Sequence, residues 1–337
     1  MPFDHTLLHY FPDGRWDIEE GLSGWNNTTR FVRAGGRKWV LRIYETHRDI
    51  DKIRYEHEIL EALGAAEPSY RVPRPAKFGG GNTIARLTDG TDRLACVFSY
   101  IEGRRPEEGE ERTAVALGAA VSELMRDLSA LKISSSPVYR PYYELESAYP
   151  HCSSERVGEF CSSPPPEFAG EAVALQAIGE AYREFRGHLP NFRSLPHQLI
   201  HGDLNDSNIL VEGEGDTYRV GAILDFEFCT WDLRAMELAV IVSGYLDRDN
   251  AIDLIERFLC GMGGHIQLEA SEIEAVPLLV RLRLLDVFLH FLNRYFDGVD
   301  QEPTLKEQIR SVYRGLQSLE NVSDQLERVI RRHLGGE

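Results

Sequence analysis

His201-Gly202-Asp203-Leu204-Asn205-Asp206-Ser207-Asn208 is followed, sixteen residues after its last member, by Leu224-Asp225-Phe226-Glu227. Asp203, Asn208 and Asp225 are oxygen-bearing side chains at the spacing of a phosphoryl-transfer centre: one to accept a hydroxyl proton, two to hold a divalent metal. Either half alone says little, because Asp and Asn are frequent in turns. Both occur here in order, each beside a β-rich run, Ile209-Leu210-Val211 and Val220 to Leu224, with a turn at Gly213 to Gly215 between them. The plainer alternative is a loop ending in a hydrogen-bonded histidine, with Asp225 capping a helix that starts near Leu233. It leaves unexplained why two strands joined by a Gly-rich turn both end on acidic groups.

Such groups need elements to position them. The first hundred residues read mostly as strand: Arg15 to Leu22, Thr28 to Ala34 and Lys38 to Tyr44 are β-rich, and Gly35-Gly36 joins the last two as a tight hairpin. A helix is expected from about Thr46 to Leu63, with Ile53, Ile59, Leu60 and Leu63 as its apolar stripe. Lys77 to Leu87 and Arg93 to Ile101 suggest a second hairpin around Asp89-Gly90. The pattern then turns helical, from Glu110 to Leu131 and again from about Gly170 to Gly187. Between them, 132–168 reads as an irregular excursion rich in Pro, Ser and Tyr. Everything beyond Leu233 reads as helix. The expected fold class is α+β and bilobal: a small β-rich lobe over 1–101, with five strands and one helix, and a larger helical lobe over 102–337.

The charge is lopsided, 54 Asp and Glu against 37 Lys and Arg, giving −17 over 337 residues. A phosphate backbone needs a basic surface, so no nucleic-acid partner is expected, and an anionic membrane is disfavoured for the same reason. The acidic field favours a cationic or zwitterionic small molecule. The five cysteines, Cys96, Cys152, Cys161, Cys229 and Cys260, form no Cys-x-x-Cys pair or Cys/His cluster that would suggest zinc. Met1 to Tyr10 lacks the basic and apolar regions of a secretion signal, and no apolar run reaches a membrane span of about eighteen residues, so a cytoplasmic protein is expected.

A β-rich lobe, a short hinge, a helical lobe and His201-Gly202-Asp203-x4-Asn208 ahead of Asp225-Phe226-Glu227 together resemble the aminoglycoside phosphotransferase superfamily, which has a protein-kinase-like fold. Within it, the type II homoserine kinases and choline kinase-like phosphotransferases look closest. The resemblance is strong from His197 to Ala239 and weaker in the N-terminal lobe. It implies Asp203 as catalytic base, Asn208 and Asp225 as magnesium ligands, and His201 as a ring that braces the loop. Asp232 and Glu237 match acidic positions that hold the loop as scaffold, although Asp232 also suits an N-cap for the Leu233 helix. The cofactors implied are ATP and Mg2+.

The N-terminal lobe departs from that pattern in two places. Kinase-like folds place a Lys on the third strand to grip phosphates, paired with a helix Glu. Here Val40-Leu41-Arg42-Ile43 puts Arg42 there, with a longer, forked cation, and Glu56 is its expected partner with Glu58 as alternative. The phosphate loop Leu22-Ser23-Gly24-Trp25-Asn26-Asn27-Thr28 has a single glycine, Gly24, so Asn26 and Asn27 would share the cradle with backbone N–H groups. The backbone of Ser99, Tyr100 and Ile101, entering the hinge, would meet an adenine edge.

Protein kinases need a long segment after the metal Asp to dock a peptide. Here Asp225 and Leu233 are eight residues apart, so the acceptor should be small. On the helix expected from Ser271 to Phe296, Arg283, Asp286, His290 and Asn293 form a polar stripe on an otherwise apolar surface. One reading makes it an acceptor wall, with Asp286 facing an ammonium, Arg283 a carboxylate, and Trp231 and Tyr142-Tyr143 adding aromatic surface. The other makes it an interhelical network or a wet groove. The functional expectation is an ATP- and Mg-dependent kinase acting on the hydroxyl of a small amino alcohol or hydroxy amino acid, homoserine first. An aminoglycoside O-phosphotransferase and a non-catalytic kinase-like binding module are the alternatives. The oligomeric state is not legible.

Overall fold

Alternating apolar and polar residues build the N-terminal sheet, and the computed structural model describes residues 3–21, 27–45, 49–107 and 110–336 of the chain. The elements there are α1 (Asp4–Tyr10), β1 (Asp17–Glu20), β2 (Asn27–Ala34), β3 (Arg37–Tyr44), α2 (Ile50–Ala66), β4 (Ala85–Arg86) and β5 (Leu94–Ser99). The strands form one antiparallel five-stranded sheet in the order β1-β2-β3-β5-β4. Gly35 and Gly36 both have positive φ, 58° and 71°, the backbone that a two-residue hairpin with the strands' own twist requires. Leu41 and Ile43 of β3 point into a core with Leu7, Val32, Ala95 and Val97, so the strand's period of two puts Arg42 on the opposite face.

The chain continues with α3 (Arg112–Ala130), α4 (Leu145–Ala148), α5 (Ser154–Ser162), α6 (Ala172–Phe192), β6 (His197–Ile200), β7 (Ile209–Glu212), β8 (Arg219–Ile223), β9 (Thr230–Leu233), α7 (Arg234–Ser243), α8 (Ala251–Met262), α9 (Ala270–Phe296) and α10 (Glu302–Leu334). β7 pairs with β8, and β6 pairs with β9. Two compact units result, neither continuous in sequence. The first holds Met1–Arg105, Ala130–Val138 and Asn208–Phe228; the second holds Pro106–Ser129, Tyr139–Ser207 and Cys229–Glu337. The first unit is therefore wider in sequence than the expected 1–101, because the β7–β8 hairpin belongs to it.

Several local expectations change. Lys77 to Leu87 is strand only at Ala85–Arg86, because Gly79-Gly80-Gly81 turns in a 3-10 loop with positive φ at Gly80 and Gly81. The helix expected from Thr46 begins at Ile50, where the Asp49 carboxylate accepts from Asp51 N–H at 3.0 Å, and residues 46–48 lie outside the described residues. The 132–168 excursion contains α4 and α5, the latter N-capped by Ser153 and burying Val157, Phe160 and Cys161. β6, β9 and α1 had not been expected. Four of the cysteines are buried and Cys260 is exposed.

Candidate active site

In the first unit, the β7–β8 hairpin brings Asn208 and Asp225 to the same end. Leu224 N–H donates to the Asn208 carbonyl at 2.8 Å, one residue before Asp225. The turn at the other end needs Gly213: its φ is 78°, and a Cβ would lie 2.2 Å from the Thr217 carbonyl oxygen. Asp225 itself has φ 64°, a left-handed conformation that few non-glycine residues adopt. Arg42 Nη2 lies 3.1 Å from Asp225 Oδ1 as an ion pair, yet that oxygen is buried and takes part in no hydrogen bond.

Arg42 Nη1 donates to Glu56 Oε1 at 3.1 Å, and Tyr44 Oη donates to Glu56 Oε2 at 3.0 Å. Burial raises the Glu56 carboxyl above its ordinary range against the pull of Arg42. Burial also opposes the Arg42 charge, but Asp225 and Glu56 hold the guanidinium well above its usual value. Glu58, the alternative partner, is used elsewhere. It accepts from Ser134 N–H, Ser134 Oγ and Ser135 N–H at 2.6, 2.7 and 3.1 Å. These bonds outweigh its slight burial and hold its carboxyl at about 2.

Sequence reasoning missed Glu227, which accepts from Asn27 Nδ2 at 2.8 Å and which burial and Asp225 push up to about 7. Its place two residues after Asp225 was the signal that could have found it. Asn27 Oδ1 is buried without a hydrogen bond. Gly24 and Asn26 lie outside the described residues. At the expected adenine strip, Ser99 N–H donates to the Arg74 carbonyl at 2.9 Å and Tyr100 N–H to the Lys38 carbonyl at 3.4 Å. These two N–H groups serve the fold.

In the second unit, the loop after β6 is held from several sides. His201 is buried, and its Nδ1 accepts from Asp203 N–H at 3.3 Å. Glu237, on α7, accepts from His201 N–H at 2.5 Å and also from Gly202 N–H, and burial pushes its carboxyl up to about 7. Asp232 is fully buried on β9 and is likewise raised by burial to about 7. Its oxygens accept from Tyr142 N–H and Leu233 N–H, both at 2.6 Å. The N-cap of α7 is Leu233, with no side-chain cap, so Asp232 is a brace between segments and not a helix cap.

The α9 stripe reaches this loop. Arg283 Nη2 donates to Asp203 Oδ1 at 2.8 Å, and its Nη1 donates to Asp286 Oδ2 and to Tyr142 Oη, both at 3.1 Å. Tyr149 Oη donates to Asp286 Oδ1 at 2.5 Å. Arg283 and Asp286 are thus consumed by one another, by Asp203 and by two tyrosines. The expectation of free acceptor ligands is corrected to the interhelical network, because two buried charges must pair. His290 packs edge-on against Tyr149 with centroids 6.3 Å apart, and burial lowers its basicity. Trp231 is 53% exposed, so its ring is available to solvent. Tyr142, expected as aromatic surface, acts here through its hydroxyl, and Tyr149 was not singled out because it sits in the stretch that sequence patterning read as irregular.

No group of three or more His, Cys, Asp or Glu side chains is placed to hold a metal among the described residues. The side chains that would hold a metal are Asn208 and Asp225, whose Oδ1 is buried without a hydrogen bond. One amide and one carboxylate are oxygen donors of the kind that a hard cation such as magnesium would take, and the ion would supply charge neutralisation there.

A five-stranded sheet with a buried Arg–Glu pair, followed by a larger helical part carrying the Asp203 loop, defines the class of kinase-like phosphotransferases. The chain belongs to the phosphotransferase enzyme family APH, which matches residues 17–265. It is 26% identical over 295 residues to a homoserine kinase of Sinorhizobium medicae, covering 85% of this chain and 80% of that protein. It is 24% identical over 310 residues to a homoserine kinase of Zymomonas mobilis, covering 88% and 87%. Among solved structures, a microcompartment-associated aminopropanol kinase aligns with TM-score 0.71 at 17% identity, over 96% of this chain and 97% of that one. An aminoglycoside 2'-phosphotransferase-IIIa aligns with TM-score 0.64 at 17% identity, over 96% and 98%. The protein is a small-molecule phosphotransferase acting on hydroxyl groups.

Proposed function

We propose that the protein is an ATP- and magnesium-dependent kinase that phosphorylates the hydroxyl of a small amino alcohol or hydroxy amino acid, with homoserine the first candidate. The observation that carries this reading is the match to homoserine kinases along most of both chains. The eight-position step from Asp225 to Leu233 supports it, since it leaves no peptide platform.

In this reading Asp203 orients the acceptor hydroxyl and takes its proton. Arg42, steered by Glu56, counters phosphate charge, and Asn27, held by Glu227, would contribute to the phosphate cradle. Asn208 and Asp225 would hold magnesium, which when bound supplies charge neutralisation on the phosphates. The Ile101 N–H and the carbonyls of Ser99 to Ile101 would meet the adenine edge, and Trp231 and His290 would border the acceptor. The charge of −17 suits a cationic or zwitterionic substrate and keeps a polycationic aminoglycoside as the second reading. No helix among the described residues is long and apolar enough to cross a membrane.

The test is ADP release from ATP and magnesium with homoserine, 1-amino-2-propanol, choline and an aminoglycoside, each against its hydrolysis background. Turnover with the first three supports the proposal. Turnover with the aminoglycoside alone replaces it with the second reading. Nucleotide binding without transfer to any acceptor makes the protein a binding module.

A further inference from the structure

The network behind Asp203 has more connections than a scaffold requires. Among the described residues, the Arg283 guanidinium donates to Asp203 from one nitrogen and to Asp286 and Tyr142 from the other. Asp286 is in turn held by Tyr149. Tyr142 Oη accepts from Arg283 and donates its own hydrogen bond to the Gly202 carbonyl at 2.5 Å, in the peptide that joins Gly202 to Asp203. Gly202 has φ 79°, a conformation open to almost no other residue, so the loop at this point takes a shape that side-chain packing alone would not select. Tyr142 and Arg283 therefore meet the Gly202-Asp203 pair directly, with Asp286 and Tyr149 holding Arg283 from behind.

We propose that Arg283 is a positioning residue for Asp203, clamped by Asp286, Tyr142 and Tyr149, and not a ligand of the acceptor. The proposal rests on the reading of Asp203 as the group that takes the hydroxyl proton. Swinging Arg283 onto an acceptor carboxylate would remove the counter-charge that Asp203 and Asp286 share, and Asp286 is only 10% exposed. In place, the guanidinium fixes one carboxylate oxygen of Asp203 through a directional, charge-assisted bond. As the acceptor oxygen bonds to the γ-phosphorus, the bond to the ADP oxygen breaks, ADP leaves with that electron pair, and the hydroxyl proton passes to Asp203. The charged and titratable groups facing Asp203 among the described residues include Arg283 of α9, Tyr142, Glu237 of α7 and His201 of its own loop, with Asp286 behind Arg283 and Asp232 behind Tyr142.

The test compares the unaltered protein with Arg283→Met, Arg283→Lys and Tyr142→Phe. The Asp203 carboxyl titration, followed by carbon NMR, should move up by about 1–3 pH units in Arg283→Met as the adjacent cation is lost. In Arg283→Met, kcat should fall roughly 100-fold with homoserine and with 1-amino-2-propanol alike, with nucleotide KM unchanged. Arg283→Lys should recover part of the loss, because the charge returns without the fork. Tyr142→Phe should lower kcat less and leave the titration nearly in place. An unmoved Asp203 titration overturns the proposal, and so does a loss confined to the KM of the carboxylate-bearing acceptor. If the unaltered protein phosphorylates neither acceptor, the functional reading fails and the NMR titration still decides the clamp. If Arg283→Met does not fold, Arg283→Lys and Tyr142→Phe carry both readouts: a wild-type kcat in each overturns the proposal.

Discussion

Asp203 and Asp225 carry the same carboxylate in different surroundings. Asp203 Oδ1 accepts a hydrogen bond from Arg283, whereas Asp225 Oδ1 faces Arg42 in an ion pair without one. Their substitutions should differ accordingly. Asp203→Asn keeps the shape and removes the proton acceptor, so transfer should fall by about 100- to 10,000-fold while calorimetry shows nucleotide affinity retained. Asp225→Ala should instead weaken magnesium-nucleotide binding in the same experiment, and an unchanged affinity would make Asp225 structural. Glu56→Gln leaves the buried Arg42 with Asp225 alone. It should cost about 3 kcal/mol in urea unfolding, the low end for breaking a buried pair, because one counter-charge remains. The Arg42–Glu56 pair was legible from the sequence, since a strand residue and a helix residue fourteen apart matched a known pattern. The hydroxyl bonds of Tyr142 and Tyr149 were not, because they act across 141 and 137 residues of sequence.

At the scale of elements, α3 and α8 approach so closely that two glycines are required. A Cβ on Gly118 would lie 2.0 Å from the Phe258 carbonyl oxygen, and one on Gly261 would lie 2.0 Å from the Val115 carbonyl oxygen. Ala is the better helix former by about 1 kcal/mol, yet forcing the helices apart costs about 1–3 kcal/mol. Gly118→Ala should therefore lower the thermal unfolding midpoint, and a rise would show that the helices can separate freely. The amphipathic helix from Glu110 to Leu131 was legible because its apolar period is local. Its contact with α8 was not, since no periodicity in one helix names the neighbour that its small residues admit. The same holds for β6 and β9, whose pairing joins segments 36 positions apart at His197 and Leu233.

At the scale of the whole molecule, buried acids bias stability with pH. Asp232 and Glu237 are raised by burial to about 7, against an unfolded value of about 4. Below about 4 both states hold these protons, and the contribution is fully present. Between about 4 and 7 the unfolded chain releases them first, so stability falls by about 1.4 kcal/mol per pH unit for each group, and the contribution is lost above 7. Urea unfolding at pH 5, 6, 7 and 8 should show stability falling as pH rises. Glu237→Gln should flatten that slope by one group's share, and an unchanged slope would show that Glu237 is already ionised at pH 5.

What the sequence determined by itself was local or patterned: the D-x4-N spacing of Asp203 and Asn208, the hairpin glycines Gly35 and Gly36, the apolar stripes, and the acidic charge. These follow from chain geometry and solvation over a few residues, so one sequence carries them. The tertiary structure decided which buried charges meet. It bound Arg283 and Asp286 to Asp203 and the tyrosines, gave Glu58 to Ser134 and Ser135, and moved the β7–β8 hairpin into the first compact unit. The physical reason is that a buried charge takes the nearest compensating partner in space, and that distance is set by how helices and strands pack, not by their order along the chain.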